Sequence, residues 1–450
     1  SDMLRGFDIV PPADNIMVKN IKQDAHGNLW IATDHKGVIV VNLENKELQT
    51  FYYDKNNVNS IPDNTQQSIF VDKNSTVWIG TYKNGVAYYS DFLKKFQLIP
   101  IGDITSMAQD KNGLIWCGSN DNGILSYNPI SGAIKHYGRN ENKLQSDVVV
   151  CCMAASDGSV WFGTYNGGMT RYKDGVFIPY MCTGKSDALA NKSVWTLKED
   201  RDGNVWIGTL GSGLQCLNPK TGVFTTYNSQ NSGLASDYLS SLCLDNKDNL
   251  VIGHSVNYSI MNLKSRKIEN YSTTRSKEEF SSGFVNQIYV DDRGLIWNGT
   301  SSGMNVYDPV TDQLTILDMN AGLSGSEICS VTEDKAKEIW LSTDKGVSNI
   351  KVYKDKDNHK WRFTVYSFNE IDGLQTRQFN QRSILLARNG DIYIGGQDGI
   401  NVVSPKVLGL GRIKAKTIFC GLIIFDHPVA VGETFNGHVI LKESLNESNK

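Results

Sequence analysis

Seven aspartates recur at one offset along the chain: Asp24, Asp72, Asp110, Asp200, Asp245, Asp291 and Asp334. Each lies six residues before a tryptophan or before the residue that replaces it. Repeated carboxylates could serve acid–base chemistry or hold a cation. Recurrence in nearly every repeat argues instead for a cap, a carboxylate accepting backbone N–H bonds in a tight turn. Ala155 and Ala387 stand at that offset in the remaining two repeats.

Other reactive groups are scattered. The 7 histidines (26, 35, 136, 254, 359, 427 and 438) form no close pair with metal-ligand spacing. The 8 cysteines show no CxxC pattern. Those in expected strands, Cys117, Cys216 and Cys243, suit small buried hydrophobes. No nucleophile elbow, zinc-protease helix or phosphate-binding glycine loop is present. No catalytic residue, metal ligand or cofactor is therefore assigned. With 45 basic and 48 acidic residues, the formal net charge of −3 gives no footprint for nucleic acid. No stretch approaches the apolar length that spans a bilayer, and the first residues carry no signal-peptide pattern.

The elements that must position these groups come from one repeated unit. Asp202 to Leu217, DGNVWIGTLGSGLQCL, reads as a polar turn, a strand, a glycine turn and a second strand. The unit recurs nine times, with tryptophan-equivalent positions at 30, 78, 116, 161, 206, 251, 297, 340 and 393. Seven of the nine tryptophans occupy that position, whereas Val251 and Tyr393 replace it in the other two. Spacings of this order, with about four short strands each and no helical periodicity, predict an all-β chain, a β-propeller of four-stranded blades. The expected innermost strands precede the motif (193–200, 327–334). Outermost strands end in aromatics, as in LQTFYYD, KKFQLIP, AIKHYGR and VFTTYNS. The glycine two residues past the tryptophan position reads as close backbone packing.

Nine repeats exceed the usual ring. In one division the N-terminal LRGFDIV supplies an outer strand to the last repeat, which lacks one, and shuts a single ring. In the favoured division residues 104–405 form a complete seven-bladed propeller and residues 1–103 are the last blades of a preceding ring. Residues 406–450 then read as a linker and the first strands of a truncated β-sandwich.

The repeat consists of an aliphatic residue, Trp, Ile or Phe, Gly-Thr, three variable residues and Gly. It resembles the two-component regulator propeller repeat. The last repeat, GLQTRQFNQRSILLARNGDIYIGGQDGINVVSPK (373–406), is similar to the final blade of that family's second propeller. CGLIIFDHPVAVGE (420–433) looks like the linker into the β-sandwich that follows. The resemblance implies the extracytoplasmic, periplasmic sensor region of a hybrid two-component receptor of the Bacteroidetes type, dimeric at full length. The transmembrane helix, histidine kinase and receiver would then lie outside these residues.

A propeller gathers ligands where loops of one face converge on its central channel. Two loop sets should share that face, those before the inner strands and those of the glycine turn. They mix aromatics, amides and both charge signs, which suits a sugar. Tyr82, Tyr165, Lys192, His254 and Arg377 are the candidate ligand-binding residues, because each departs from the small or acidic residue that most repeats carry there. A Tyr would stack on the sugar, and Lys192 and Arg377 would meet a carboxylate or sulfate. The expected function is sensing of an oligosaccharide or related nutrient to control carbohydrate-utilisation genes. A propeller lyase or glycosidase, and a protein-interaction scaffold, are the alternatives.

Overall fold

The computed structural model describes residues 16–44, 46–55, 60–73, 75–90, 95–139, 144–185, 187–271, 281, 284–356, 359–376, 378–408 and 421–442. LRGFDIV (4–10) and Arg377 lie outside them.

The repeated motif folds as a strand buried on both faces. Val205–Thr209 is entirely buried, as are the equivalent strands Ile115–Ser119, Val160–Thr164, Ile296–Thr300 and Ile339–Thr343. A strand sandwiched between neighbouring sheets has no solvent side, so both its odd and even positions are apolar or small. Its start is fixed by the recurrent aspartate. Asp200 Oδ1 accepts the N–H groups of Asp202 (3.0 Å) and Asn204 (2.8 Å), and Oδ2 accepts the indole N–H of Trp206 (2.8 Å). The aspartate is the expected turn cap, and it also satisfies the one polar atom of the buried tryptophan. The same indole bond forms at Asp24–Trp30, Asp72–Trp78, Asp110–Trp116, Asp291–Trp297 and Asp334–Trp340. The strand's end is fixed by its last residue: Thr164 Oγ1 donates to the Gly168 carbonyl (2.9 Å), and Thr209 Oγ1 to that of Gly213 (2.7 Å). Gly213 has φ 75, and a Cβ there would overlap the Tyr227 carbonyl oxygen. Only glycine satisfies both demands.

These hairpins assemble into antiparallel sheets. Seven four-stranded blades run from Ile104–Gln109, the inner strand of blade 1, to Gly399–Val403, the third strand of blade 7. The inner strands of blades 2 to 7 are Val149–Ala154, Val194–Glu199, Leu239–Leu244, Val285–Val290, Ile328–Glu333 and Phe379–Leu386. Blade 7 meets blade 1 where Asn380 Nδ2 (2.8 Å) and Ser383 Oγ (2.9 Å) donate to the Ile104 carbonyl, so the inner strands close on themselves. The chain is a β-propeller with a seven-bladed ring built from repeats three to nine.

The outer strand of blade 7 departs from the sequence reading. KKFQLIP, expected to finish the second repeat, contributes Gln97–Ile99 to Gly399–Val403 instead. The third strand of blade 7 would otherwise present an open edge, and a strand just upstream of blade 1 reaches it at no cost in loop length. Phe96 N–H donates to the Asp372 carbonyl (3.1 Å), Lys95 Nζ pairs with the Asp372 carboxylate (2.6 Å), and the Phe96 ring lies 5.3 Å from that of Phe368.

Two further sheets precede the ring. The first is complete (Val18–Gln23, Asn28–Thr33, Val38–Asn42 and Leu48–Phe51). The second keeps three strands, Gln66–Val71, Val77–Thr81 and Val86–Tyr89. Its Trp78 is 40% exposed, whereas the other six motif tryptophans are at most 2% exposed. Residues 406–450 form a separate unit. Its described part holds two small hairpins, Leu422–Ile424 with His427–Val429 and Thr434–Phe435 with His438–Val439. Phe425 and Asp426 both have positive φ, the two-residue turn that matches strand twist.

Candidate functional site

The two loop sets of the ring share one face because backbone bonds stitch them together. In blades 1 to 3 the glycine turn donates to the loop that leads into the next blade: Gly123 to the Asp147 carbonyl (2.9 Å), Gly168 to that of Lys192 (2.7 Å) and Gly213 to that of Asp237 (3.0 Å). Most polar side chains of this face are consumed by the stitching. Asp147 Oδ1 accepts Arg139 N–H (2.7 Å), and Asp237 accepts the N–H and hydroxyl of Ser229 (2.8 and 2.9 Å). Asn191 accepts from Ser193 N–H and donates to the Leu210 carbonyl and Ser212 Oγ. Glu327 Oε1 accepts from Gln381 Nε2 (3.1 Å), and Asp103 Oδ1 from Asn380 Nδ2 (2.6 Å). Acids committed in this way are brackets for loops. They are not poised as a catalytic pair.

Tyr165 and Lys192 are different. The Tyr165 turn lies against the loop that carries Lys192: Gly168 N–H reaches the Lys192 carbonyl, and Asn166 N–H reaches Ser193 Oγ (3.1 Å). Tyr165 is 50% exposed and Lys192 is exposed. Neither side chain takes a partner among the described residues. The ring thus places an exposed aromatic and an exposed cation on adjoining loops between blades 2 and 3.

The other candidates fall elsewhere. Tyr82 is 58% exposed but belongs to the second, three-stranded sheet, with Lys83 Nζ 5.2 Å from its ring centre. Arg377 lies outside the described residues. His254 is a correction. It is fully buried, with Nε2 2.9 Å from Ser259 Oγ and Nδ1 accepting Val256 N–H (3.3 Å). Burial pushes its pKa down to about 4, so it is a neutral core imidazole. The sequence registered its departure from the repeat but not its direction, because the turn here is shortened and the side chain folds inward.

Three residues at the channel escaped the sequence reading. Trp195 and Ser240 occupy corresponding positions on the inner strands of blades 3 and 4, and Arg382 lies on that of blade 7. The Arg382 guanidinium sits 5.2 Å from the Trp195 ring centre, and its Nη1 donates to the Ser240 carbonyl (3.0 Å). Two signals existed. Trp195 is one of only two tryptophans outside the motif position (the other is Trp361), and the last inner strand is two residues longer than the rest.

A cavity of about 450 Å³ opens at the first two sheets, lined by Trp30, Phe51 and Tyr89 among others. In blades 1 and 2 the equivalent aromatic stack is completed by an outer-strand residue, Phe177, 5.3 Å from Tyr137. Among the described residues the second sheet has no outer strand, and the cavity lies where such a strand would complete the aromatic stack.

The two-component regulator propeller family matches residues 99–121 and 188–211. Those two stretches are similar to the two-component regulator propeller repeat. Over 345 residues it is 25% identical to histidine kinase P4 of Formosa agariphila, a match spanning 64% of this chain and 24% of the kinase. It is similar to the extracellular domain assigned to the hybrid two component system BT3049 of B. thetaiotaomicron, with TM-score 0.71 and 21% identity over 92% of this chain and 56% of that one. The corresponding domain of BT4673 from the same organism gives TM-score 0.58 at 21% identity, again over 92% and 56%. The chain therefore spans about a quarter of the curated relative and about half of these solved domains. No helix among the described residues is long and apolar enough to cross a membrane.

Proposed function

We propose that this propeller is the ligand-sensing part of a hybrid two-component receptor, placed in the periplasm, and that it binds an oligosaccharide or related nutrient at the mouth of the seven-bladed ring. The observation that carries the reading is the Tyr165–Lys192 pair, uncommitted on a face where the acids and amides of the loops before the inner strands, Asp103, Asp147, Asn191, Asp237 and Glu327, are spent on loop geometry. An exposed aromatic stacks on the C–H face of a sugar, and a neighbouring ammonium donates to hydroxyl or acidic oxygens. Similarity to extracellular domains of two-component systems supports the same setting. Signal output belongs to segments beyond these residues, a histidine kinase among them, and ends in transcription of carbohydrate-utilisation genes. In a homodimeric receptor, ligand must favour one arrangement over the other, since equal affinity for both would shift nothing.

A thermal-shift screen against defined plant and host oligosaccharides, with product analysis of every hit, tests this. The expected result is a saturable rise in melting temperature with the ligand recovered intact, lost in Tyr165→Ala and Lys192→Ala without a lower melting temperature of the free protein. A ligand recovered cleaved would make the propeller an enzyme and end the sensor reading.

A further inference from the structure

The inner strands of the ring share one irregularity. In blades 1 to 6 the register with the second strand slips once, leaving a single unpaired residue near the mouth: Thr105, Val150, Trp195, Ser240, Asn286 and Cys329. In blade 7 the slip extends from Phe379 to Ile384. From Phe379 to Ala387 is eight residues (387 − 379), against six from Val149 to Ala155 (155 − 149) in blade 2. The extra chain is pinned on both sides, Asn380 and Ser383 to blade 1 and Gln381 to blade 6. Arg382 is left between them at φ 61, a left-handed conformation that a bulky residue adopts at a cost. Its side chain crosses to blades 3 and 4, against Trp195 and the Ser240 carbonyl.

The guanidinium arrives incompletely satisfied. Arg382 Nε is buried without a hydrogen-bond partner, and so is Ser240 Oγ, on the residue whose carbonyl Nη1 already holds. No carboxylate among the described residues forms an ion pair with Arg382. Arg382 as a whole keeps partial exposure, while its Nε and the Ser240 Oγ are buried. Burial lowers its pKa to about 10, which leaves it charged at neutral pH. A guanidinium with one buried, unpaired N–H and no counter-ion, on strained backbone, is an unfavourable arrangement unless something else completes it.

We propose that the central channel is an anion site, in which Arg382 Nε–H and the Ser240 hydroxyl donate to a carboxylate or sulfate of the ligand while Trp195 holds the guanidinium in plane. The inference rests on the sensor reading and narrows its ligand to an acidic saccharide.

The test is calorimetric titration of the whole chain with two matched pairs: tetragalacturonate against its methyl ester, and a sulfated galacto-tetrasaccharide against its desulfated form. The expected result is that one acidic member binds and its neutral partner binds at least about tenfold more weakly, the value of one or two charge-assisted hydrogen bonds. Arg382→Met, which keeps the stem but no donor, should erase that discrimination, and Ser240→Ala should weaken it without touching the carbonyl. If Arg382→Met fails to fold, Ser240→Ala decides. Acid binding unchanged in the folded variants, or no binding of either acidic probe, overturns the anion site. Binding of the neutral forms alone also overturns it and leaves the sensor reading standing, whereas cleavage of any probe removes the sensor reading itself.

Discussion

At the scale of single residues, the recurrent aspartate does two jobs with one carboxylate. One oxygen gathers backbone N–H groups and the other accepts a buried indole. Asp200→Ala orphans all of these donors and should cost about 2–4 kcal/mol of stability in urea unfolding, given penalties of about 1–3 kcal/mol per unsatisfied buried group that do not simply add. Asp245→Ala should cost less, since Val251 brings no indole. The turn cap was legible in the sequence because it acts between near neighbours. The indole bond was not, because six residues of separation say nothing about which way a ring points. His254 supplies a second residue-scale prediction. Its folded pKa near 4 lies below the ordinary value of about 6.5. Between those values the unfolded chain binds the extra proton, so stability falls as pH drops from about 6.5 to about 4 and is flat above. His254→Gln should remove that part of the slope in denaturation midpoints measured across the window. A slope equal to wild type would mean that other groups carry it.

At the scale of elements, burial decides what a motif tryptophan is worth. Trp206 is sealed between blades, whereas Trp78 fronts the open side of the three-stranded sheet. Trp206→Ala should destabilise by about 3–5 kcal/mol, the usual range for deleting a buried aromatic, and Trp78→Ala by clearly less. Equal losses would show that Trp78 is covered in solution. The strands themselves were readable, since the Trp–Gly–Thr unit fixes a start, an end and a glycine turn. Partnership of outer strands was harder to read. KKFQLIP carries the same aromatic signature as its counterparts, and only the need to pair the edge of blade 7 assigns Gln97–Ile99 to a repeat about three hundred residues away. The widened bulge at Arg382 was visible as a length difference, but its reach across the channel depends on three blades at once.

At the scale of the whole molecule, the ring is closed by the inner-strand bonds of blade 7 to Ile104 and, at its rim, by that one short strand. Gly399 (φ 136) leaves no room for a Cβ, which would overlap the Ile99 carbonyl oxygen. Gly399→Ala should therefore open the closure and lower the melting temperature and its cooperativity together, while Gly222→Ala, at a turn with open space around it, should show only the smaller strain of its positive φ. The same closed ring makes the mouth a rigid frame, with Tyr165 and Lys192 on adjoining blades and Arg382 reaching in from the far side. That placement is the central claim. The most direct test is hydrogen–deuterium exchange of the chain with and without a saturating oligosaccharide ligand. Protection confined to peptides covering 163–169, 190–196 and 378–384, with the ligand recovered intact, is the predicted result. Protection confined to residues 16–89, with the mouth of the ring unchanged, would contradict it.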